Sequence, residues 1–157
     1  MKKLAIAAEA SAFHLKVKLV EFMKEKGYDF TDLTGESMMS YIEAGKAVGE
    51  GVSSGKYDIA VVLCGSGMGV NLVANRYPGV YCGLCESYDT ARMARTITNC
   101  NVLAMGGNFI AYTLACRMLE VFVETEFTED MDPELASALK NWYADMNKLD
   151  MELHNKG

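Results

Sequence analysis

Cys64 follows the run Asp58-Ile59-Ala60-Val61-Val62-Leu63 and directly precedes Gly65-Ser66-Gly67-Met68-Gly69, which places a thiol at the mouth of a glycine-rich turn. The five apolar residues after Asp58, four of them branched, have the form of a strand covered on both faces, as in a parallel sheet. Gly65, Gly67 and Gly69 allow a tight turn whose backbone N–H groups approach a ligand closely, and Met68 to Asn75 reads as a helix opening from it. Unpaired N–H groups at a helix start favour negative charge. They also favour the thiolate, the form of cysteine that accepts a proton. An anionic intermediate held at the turn would lie within reach of Cys64. The spacing Gly-x-Gly-x-Gly is not the dinucleotide pattern Gly-x-Gly-x-x-Gly, and no Gly-Lys-Ser/Thr follows, so neither nicotinamide nor nucleoside triphosphate binding is indicated. A structural role, with Cys64 as a small buried hydrophobe, stays open at this point.

The elements that must position this turn alternate along the chain. Strands are expected at Leu4 to Ala8, Tyr28 to Leu33, Ile59 to Cys64, Val80 to Cys85 and Asn101 to Met105. Helices are expected at Phe13 to Lys26, Met39 to Val52, from Met68, from Ser87 or Asp89 to Thr98, and at Ala111 to Thr125. Five βα units with short connections specify an α/β fold, a three-layer, doubly wound, Rossmann-like parallel sheet of five strands. With the order 2-1-3-4-5, strands one and three meet at the topological switch point, which brings Ala8-Glu9-Ala10-Ser11 beside Cys64. No linker, repeat or low-complexity segment divides residues 1–157, so a single domain is expected.

Composition narrows the class. A net charge of -6 leaves no basic surplus to neutralise phosphates, which argues against nucleic acid as a partner. The apolar stretch after Lys3 is broken by Glu9 and reads as a strand rather than a signal peptide, and no stretch approaches the length of a bilayer span. Cysteines at 64, 82, 85, 100 and 116 are odd in number and lack a disulfide-framework spacing, which suits a reducing cytoplasm. Cys82-Gly83-Leu84-Cys85 lies within a strand rather than at a helix start, and the two histidines, His14 and His154, supply no second ligand pair for zinc. Strand packing is the simpler reading.

After Asp132-Pro133, residues Leu135, Leu139, Trp142, Met146, Leu149 and Leu153 recur at spacings 4, 3, 4, 3 and 4. That is the pattern of a narrow helical seam. The extra C-terminal helix, residues 133–154, is therefore expected at a subunit interface with Trp142 as anchor, although it can also lie along its own domain.

The chain resembles the family of ribose-5-phosphate isomerase B and the galactose-6-phosphate isomerase subunits over roughly residues 3 to 127. The resemblance rests on Phe13-x-Leu15-Lys16, Cys64-Gly65-Ser66-Gly67-Met68-Gly69, Ala74-Asn75-Arg76, Pro78-Gly79, Ala91-Arg92-Met93, Asn101-Val102-Leu103 and Thr125-Glu126-Phe127. It implies an aldose-ketose isomerase acting through an enediol, with Cys64 as the base and Ser66 where the family usually has threonine. Backbone N–H groups of Gly65, Gly67, Met68 and Gly69 would hold the oxyanion. Tyr41 matches a family tyrosine near the pocket. No metal or cofactor is implied, and a homodimer or homotetramer is.

Departures from the family pattern bear on the substrate. Glu9-Ala10 stands where the resemblance implies Asp-His, and Glu9 can still orient a hydroxyl or move a proton. Ile97-Thr98 replaces a His-Asn pair whose histidine opens the sugar ring, and Thr98 is the substrate-binding candidate of the pair. The positions implied to hold phosphate are Ala10, Asn108 and the arginine-free stretch from Thr128 to Gly157. Each charge-assisted hydrogen bond contributes about 1.5 to 3 kcal/mol, so a terminal phosphate loses its grip unless Arg76, Arg92, Arg95 or a neighbouring subunit's lysines replace it. Three readings follow: an isomerase of a sugar without the usual phosphate, a sugar-phosphate isomerase with other cations, and a non-catalytic sugar-binding paralogue or structural subunit of a hetero-oligomer. His14 and His154 read as surface residues.

Overall fold

In the computed structural model, which describes residues 1–155, five strands form one parallel sheet in the order β2-β1-β3-β5-β4. In chain order the elements are β1 (Lys3–Ala8), a 3-10 turn (Ala10–Ala12), α1 (Phe13–Glu25), β2 (Asp29–Asp32) and α2 (Tyr41–Ser53). Then come β3 (Ile59–Cys64), α3 (Met68–Ala74), β4 (Cys82–Leu84), α4 (Tyr88–Thr96), β5 (Val102–Gly106), α5 (Tyr112–Glu124) and α6 (Pro133–His154). Successive strand residues face opposite ways. Leu4, Ile6, Val61, Leu63, Leu103 and Met105 point into one core layer with residues of α1 and α5. Ala5, Ala7, Ala60, Val62, Cys64 and Ala104 point into the other with residues of α2 and α3.

The doubly wound class is as expected, but the far edge of the sheet differs from the expected order 2-1-3-4-5. β5 lies between β3 and β4, pairing Cys64 with Gly106 on one side and Leu84 with Ala104 on the other. The physical reason is burial. All five β5 residues are buried, which requires a neighbour on each side, whereas β4 is three half-buried residues suited to an edge. The loop after β5, rather than the loop after β4, therefore adjoins Cys64.

Local chemistry sets the other boundaries. Ser40 caps α2 in a reciprocal capping box with Glu43, so that helix begins at Tyr41. The segment leading to it is tied down by Lys16, buried in α1, which donates to Asp32 Oδ2 and to the Gly35 carbonyl, each at 2.7 Å. Thr34 accepts the Ala8 N–H at 2.8 Å and so joins the same loop to β1.

The seam of α6 divides. Leu139 is buried, which stabilises docking by about 1.5 to 3 kcal/mol, and Tyr143 lies against Tyr81 and Phe127. Asp150 accepts the Gly79 N–H at 2.7 Å. Leu135, Trp142, Leu149 and Leu153 instead face outward, Trp142 at 63% exposure. Among the described residues no helix is long and apolar enough to cross a membrane.

Candidate active site

β3 ends where its hydrogen-bonding neighbours β1 and β5 also end, so three loops meet over its last residue. Cys64 is buried, and its Sγ accepts the Gly67 N–H at 3.1 Å, an interaction that strengthens as sulfur gains negative charge. Gly67 sits at φ +77°, and a Cβ there would lie 2.6 Å from Leu84 and 2.8 Å from the Met105 carbonyl carbon. Only glycine satisfies both conditions. Ser66 Oγ accepts the Met68 N–H at 3.2 Å, which turns its hydroxyl proton free for another acceptor.

Two further loops close the walls. Glu9 follows β1, its N–H donates to the Leu63 carbonyl at 2.8 Å, and its carboxylate accepts both the N–H of Ser11, at 3.1 Å, and the Ser11 hydroxyl. These bonds hold the carboxylate at the C-terminal edge of the sheet. Tyr41, at the start of α2, lays its ring over Gly69, where a Cβ would lie 2.7 Å from a ring carbon. Glu9, Ser40, Tyr41, Cys64, Gly65, Ser66 and Gly69 together line a cleft of about 450 Å³.

The structure thus brings together six of the nine residues singled out in the sequence: Glu9, Tyr41, Cys64, Gly65, Ser66 and Gly69. Gly67 is buried beneath the cleft and acts through its N–H on sulfur. Met68 points outward at 56% exposure, and its N–H is taken by Ser66, so neither its side chain nor that N–H faces the cleft. Thr98 lies outside the cleft altogether. Its hydroxyl donates to the Ala94 carbonyl at 3.0 Å, and it lines a separate apolar hollow with Ile97, Leu139 and Trp142. Ser40 was not singled out, although Ser40-x-x-Glu43 is a recognisable helix start that places it beside Tyr41.

Two of the alternative cations, Arg92 and Arg95, are engaged elsewhere. Arg92 pairs with Asp130 at 2.8 Å, and buried Arg95 donates to the carbonyls of Thr125 and Cys100. The larger hollow of about 570 Å³ that Arg92 lines with Arg117, Glu120 and Glu124 holds no residue from the strand ends. All five cysteines are free thiols. Burial pushes the thiols of Cys82 and Cys100 up and that of Cys85 to about 11, so the Cys82-x-x-Cys85 pair is packed material of the β4 edge. Among the described residues no group of three or more His, Cys, Asp or Glu is placed to hold a metal ion.

A thiol and a carboxylate facing one small cleft at the carboxyl ends of a doubly wound sheet define a class of α/β protein equipped for proton transfer on a small ligand. A family model described as Ribose/Galactose Isomerase matches residues 4–137. A 4-deoxy-4-sulfo-D-erythrose isomerase of Clostridium sp. (strain MSTE9) is 35% identical over 158 residues, spanning 99% of this chain and 99% of that protein. A D-erythrulose-4-phosphate isomerase of Pectobacterium atrosepticum is 30% identical over 131 residues, 81% of this chain and 86% of that one. Among solved structures, a ribose 5-phosphate isomerase of Thermotoga maritima aligns with a TM-score of 0.82 at 31% identity, covering 94% of this chain and 98% of that chain. The chain belongs to the ribose/galactose isomerase family and is a sugar isomerase of that class.

Proposed function

We propose that this enzyme interconverts the aldose and ketose forms of a four-carbon sugar that stays open-chain because its C4 oxygen is replaced, a 4-deoxy-4-sulfo-tetrose being the model substrate. The observation that carries the reading is the shared cleft of Cys64, Glu9 and Ser66. The Cys64 thiolate takes the proton from C2 of the aldose, the electron pair forms the C1–C2 double bond, and the C1 oxygen becomes the oxyanion. Returning the proton to C1 while the O2 proton leaves gives the ketose. Glu9, in the same cleft, moves the proton between O2 and O1, and the Ser66 hydroxyl with the N–H groups of Gly65 and Gly69 holds the oxyanion. Tyr41 forms the wall against the carbon chain.

The substrate class follows from what is missing. A tetrose closes its ring through O4, and with sulfur on C4 no such oxygen exists. Such a substrate needs no ring-opening acid, which accounts for the missing histidine in the Ile97-Thr98 pair. The similar 4-deoxy-4-sulfo-D-erythrose isomerase supports this class. The outward face of α6 supports a homodimer or homotetramer, and Thr98 would serve a site only as a residue brought by a second copy. A reducing cytoplasm suits the five free thiols.

Replacing Cys64 with alanine or serine is expected to lower kcat by about 10² to 10⁴, the range of a positioned base, without lowering the unfolding temperature. Retained turnover removes Cys64 from the mechanism. The loss of the ring-opening histidine from the Ile97-Thr98 pair also favours a non-catalytic sugar-binding paralogue or structural subunit; binding of the sulfo-sugar with neither turnover nor proton exchange at carbon would establish that reading instead.

A further inference from the structure

Asn108 separates the thiol cleft from a second hollow. Its N–H donates to the Gly65 carbonyl at 3.0 Å, and the preceding residue, Gly107, donates to the Cys64 carbonyl at 2.9 Å. Its side chain leans over Gly65, where a Cβ would lie 2.9 Å from Nδ2. On its other side Asn108 lines a hollow of about 400 Å³ together with His14, Lys18, Phe109 and Tyr112.

The two spaces differ in charge. The lining of the cleft includes the Glu9 carboxylate and no basic side chain, so a permanently charged end group finds no cation to pair with there. The adjoining hollow has two basic side chains, four residues apart and therefore on one face of α1, with Lys18 Nζ 5.6 Å from the centre of the Tyr112 ring. One ammonium and one imidazole suit a single negative charge better than a phosphate, which carries about 1.5 to 2.

We propose that the hollow bounded by His14, Lys18 and Asn108 is the subsite for the anionic end of the substrate, and that it selects a singly charged tetrahedral group such as a sulfonate. The inference rests on the reading of Cys64 as the reacting end. The substrate then lies across Gly65, with C1 and C2 at the thiol and C4 passing the Asn108 amide, which donates to a sulfonate oxygen. His14, a surface residue by sequence, becomes part of the binding apparatus.

Calorimetry tests this with two ligands, 4-deoxy-4-sulfo-D-erythrose and 4-deoxy-D-erythrose, which lacks both the anion and the ring-closing hydroxyl. Lys18→Gln is expected to weaken the sulfonate ligand about tenfold and His14→Gln by a smaller factor, with the uncharged ligand unchanged. Lys18→Arg restores affinity. Unchanged sulfonate affinity in both glutamine variants, equal weakening of both ligands, or no sulfonate binding by the wild type overturns the subsite. Turnover measured on the same wild-type sample separates the two claims. Sulfonate-dependent binding without turnover defeats the isomerase reading and leaves the subsite standing, whereas turnover with unaltered affinities does the reverse.

Discussion

At the scale of single residues the account turns on how Cys64 differs from the other thiols. Cys82, Cys85 and Cys100 are all pushed up by burial, Cys85 to about 11, and none lines the cleft. Iodoacetamide at pH about 8 should therefore alkylate Cys64, which lines the cleft and accepts the Gly67 N–H, before these three, with activity lost in proportion. Peptide mapping by mass spectrometry checks the order, and labelling of the β4 edge first would contradict it. Gly67 is the second sensitive position. Alanine there meets both a left-handed backbone and the nearby Leu84 and Met105, so Gly67→Ala should destabilise by roughly 2 to 4 kcal/mol and lower the unfolding temperature. The residue types that do chemistry were legible because Cys64, Ser66 and the glycines are contiguous. Ser40 was not, since a capping serine announces a helix start rather than a cleft wall.

Elements show where sequence patterns stop. A continuous apolar run identifies β3 and β5 as covered strands, yet hydrophobicity does not say which strands are neighbours, and the order of β4 and β5 emerges only from their unequal burial. That exchange matters for function because it delivers Asn108, carried on the loop after β5, to the side of Gly65. The last turn of α6 supplies a test through pH. His154 Nδ1 and Nε2 face the carbonyls of Asp150 and Arg76 at 2.9 and 3.1 Å, and only the imidazolium has two N–H groups to satisfy both. These backbone bonds, joined by the Asp150 carboxylate, raise the pKa of His154 above its usual value of about 6.5. A raised folded-state pKa stabilises docking fully below the unfolded value and loses that contribution as pH rises through the folded one. Protection of the amides at the end of α6, measured against their intrinsic exchange rates, is expected to fall across that rise, and His154→Gln should remove the pH dependence of that protection.

For the whole molecule, the outward α6 face carries the proposed assembly. Leu135, Trp142, Leu149 and Leu153 lie exposed along one helix, while Leu139 and Tyr143 dock it to its own sheet. In a monomer an exposed residue is replaced at little cost, within about 0.5 kcal/mol. Trp142→Glu is expected to convert a dimer or tetramer into monomers by sedimentation without altering the unfolding of the isolated chain, and a monomeric wild type would contradict the assembly. The heptad-like spacing made this face visible in the sequence, but spacing did not show that one position of the seam, Leu139, turns inward. Thr98 illustrates the same limit. Its place along the chain suggested the cleft, whereas the fold sets it in an apolar hollow beside Trp142, outside the Cys64 cleft.

The central claim, proton transfer by Cys64 on an open-chain sugar, is tested most directly by isomerising 4-deoxy-4-sulfo-D-erythrose in deuterated water and following carbon-bound hydrogen by NMR. Wild-type enzyme should place solvent deuterium on C1 of the ketose, and Cys64→Ala should give neither ketose nor exchange. Isomerisation, or exchange of carbon-bound hydrogen, by the alanine variant would contradict the account.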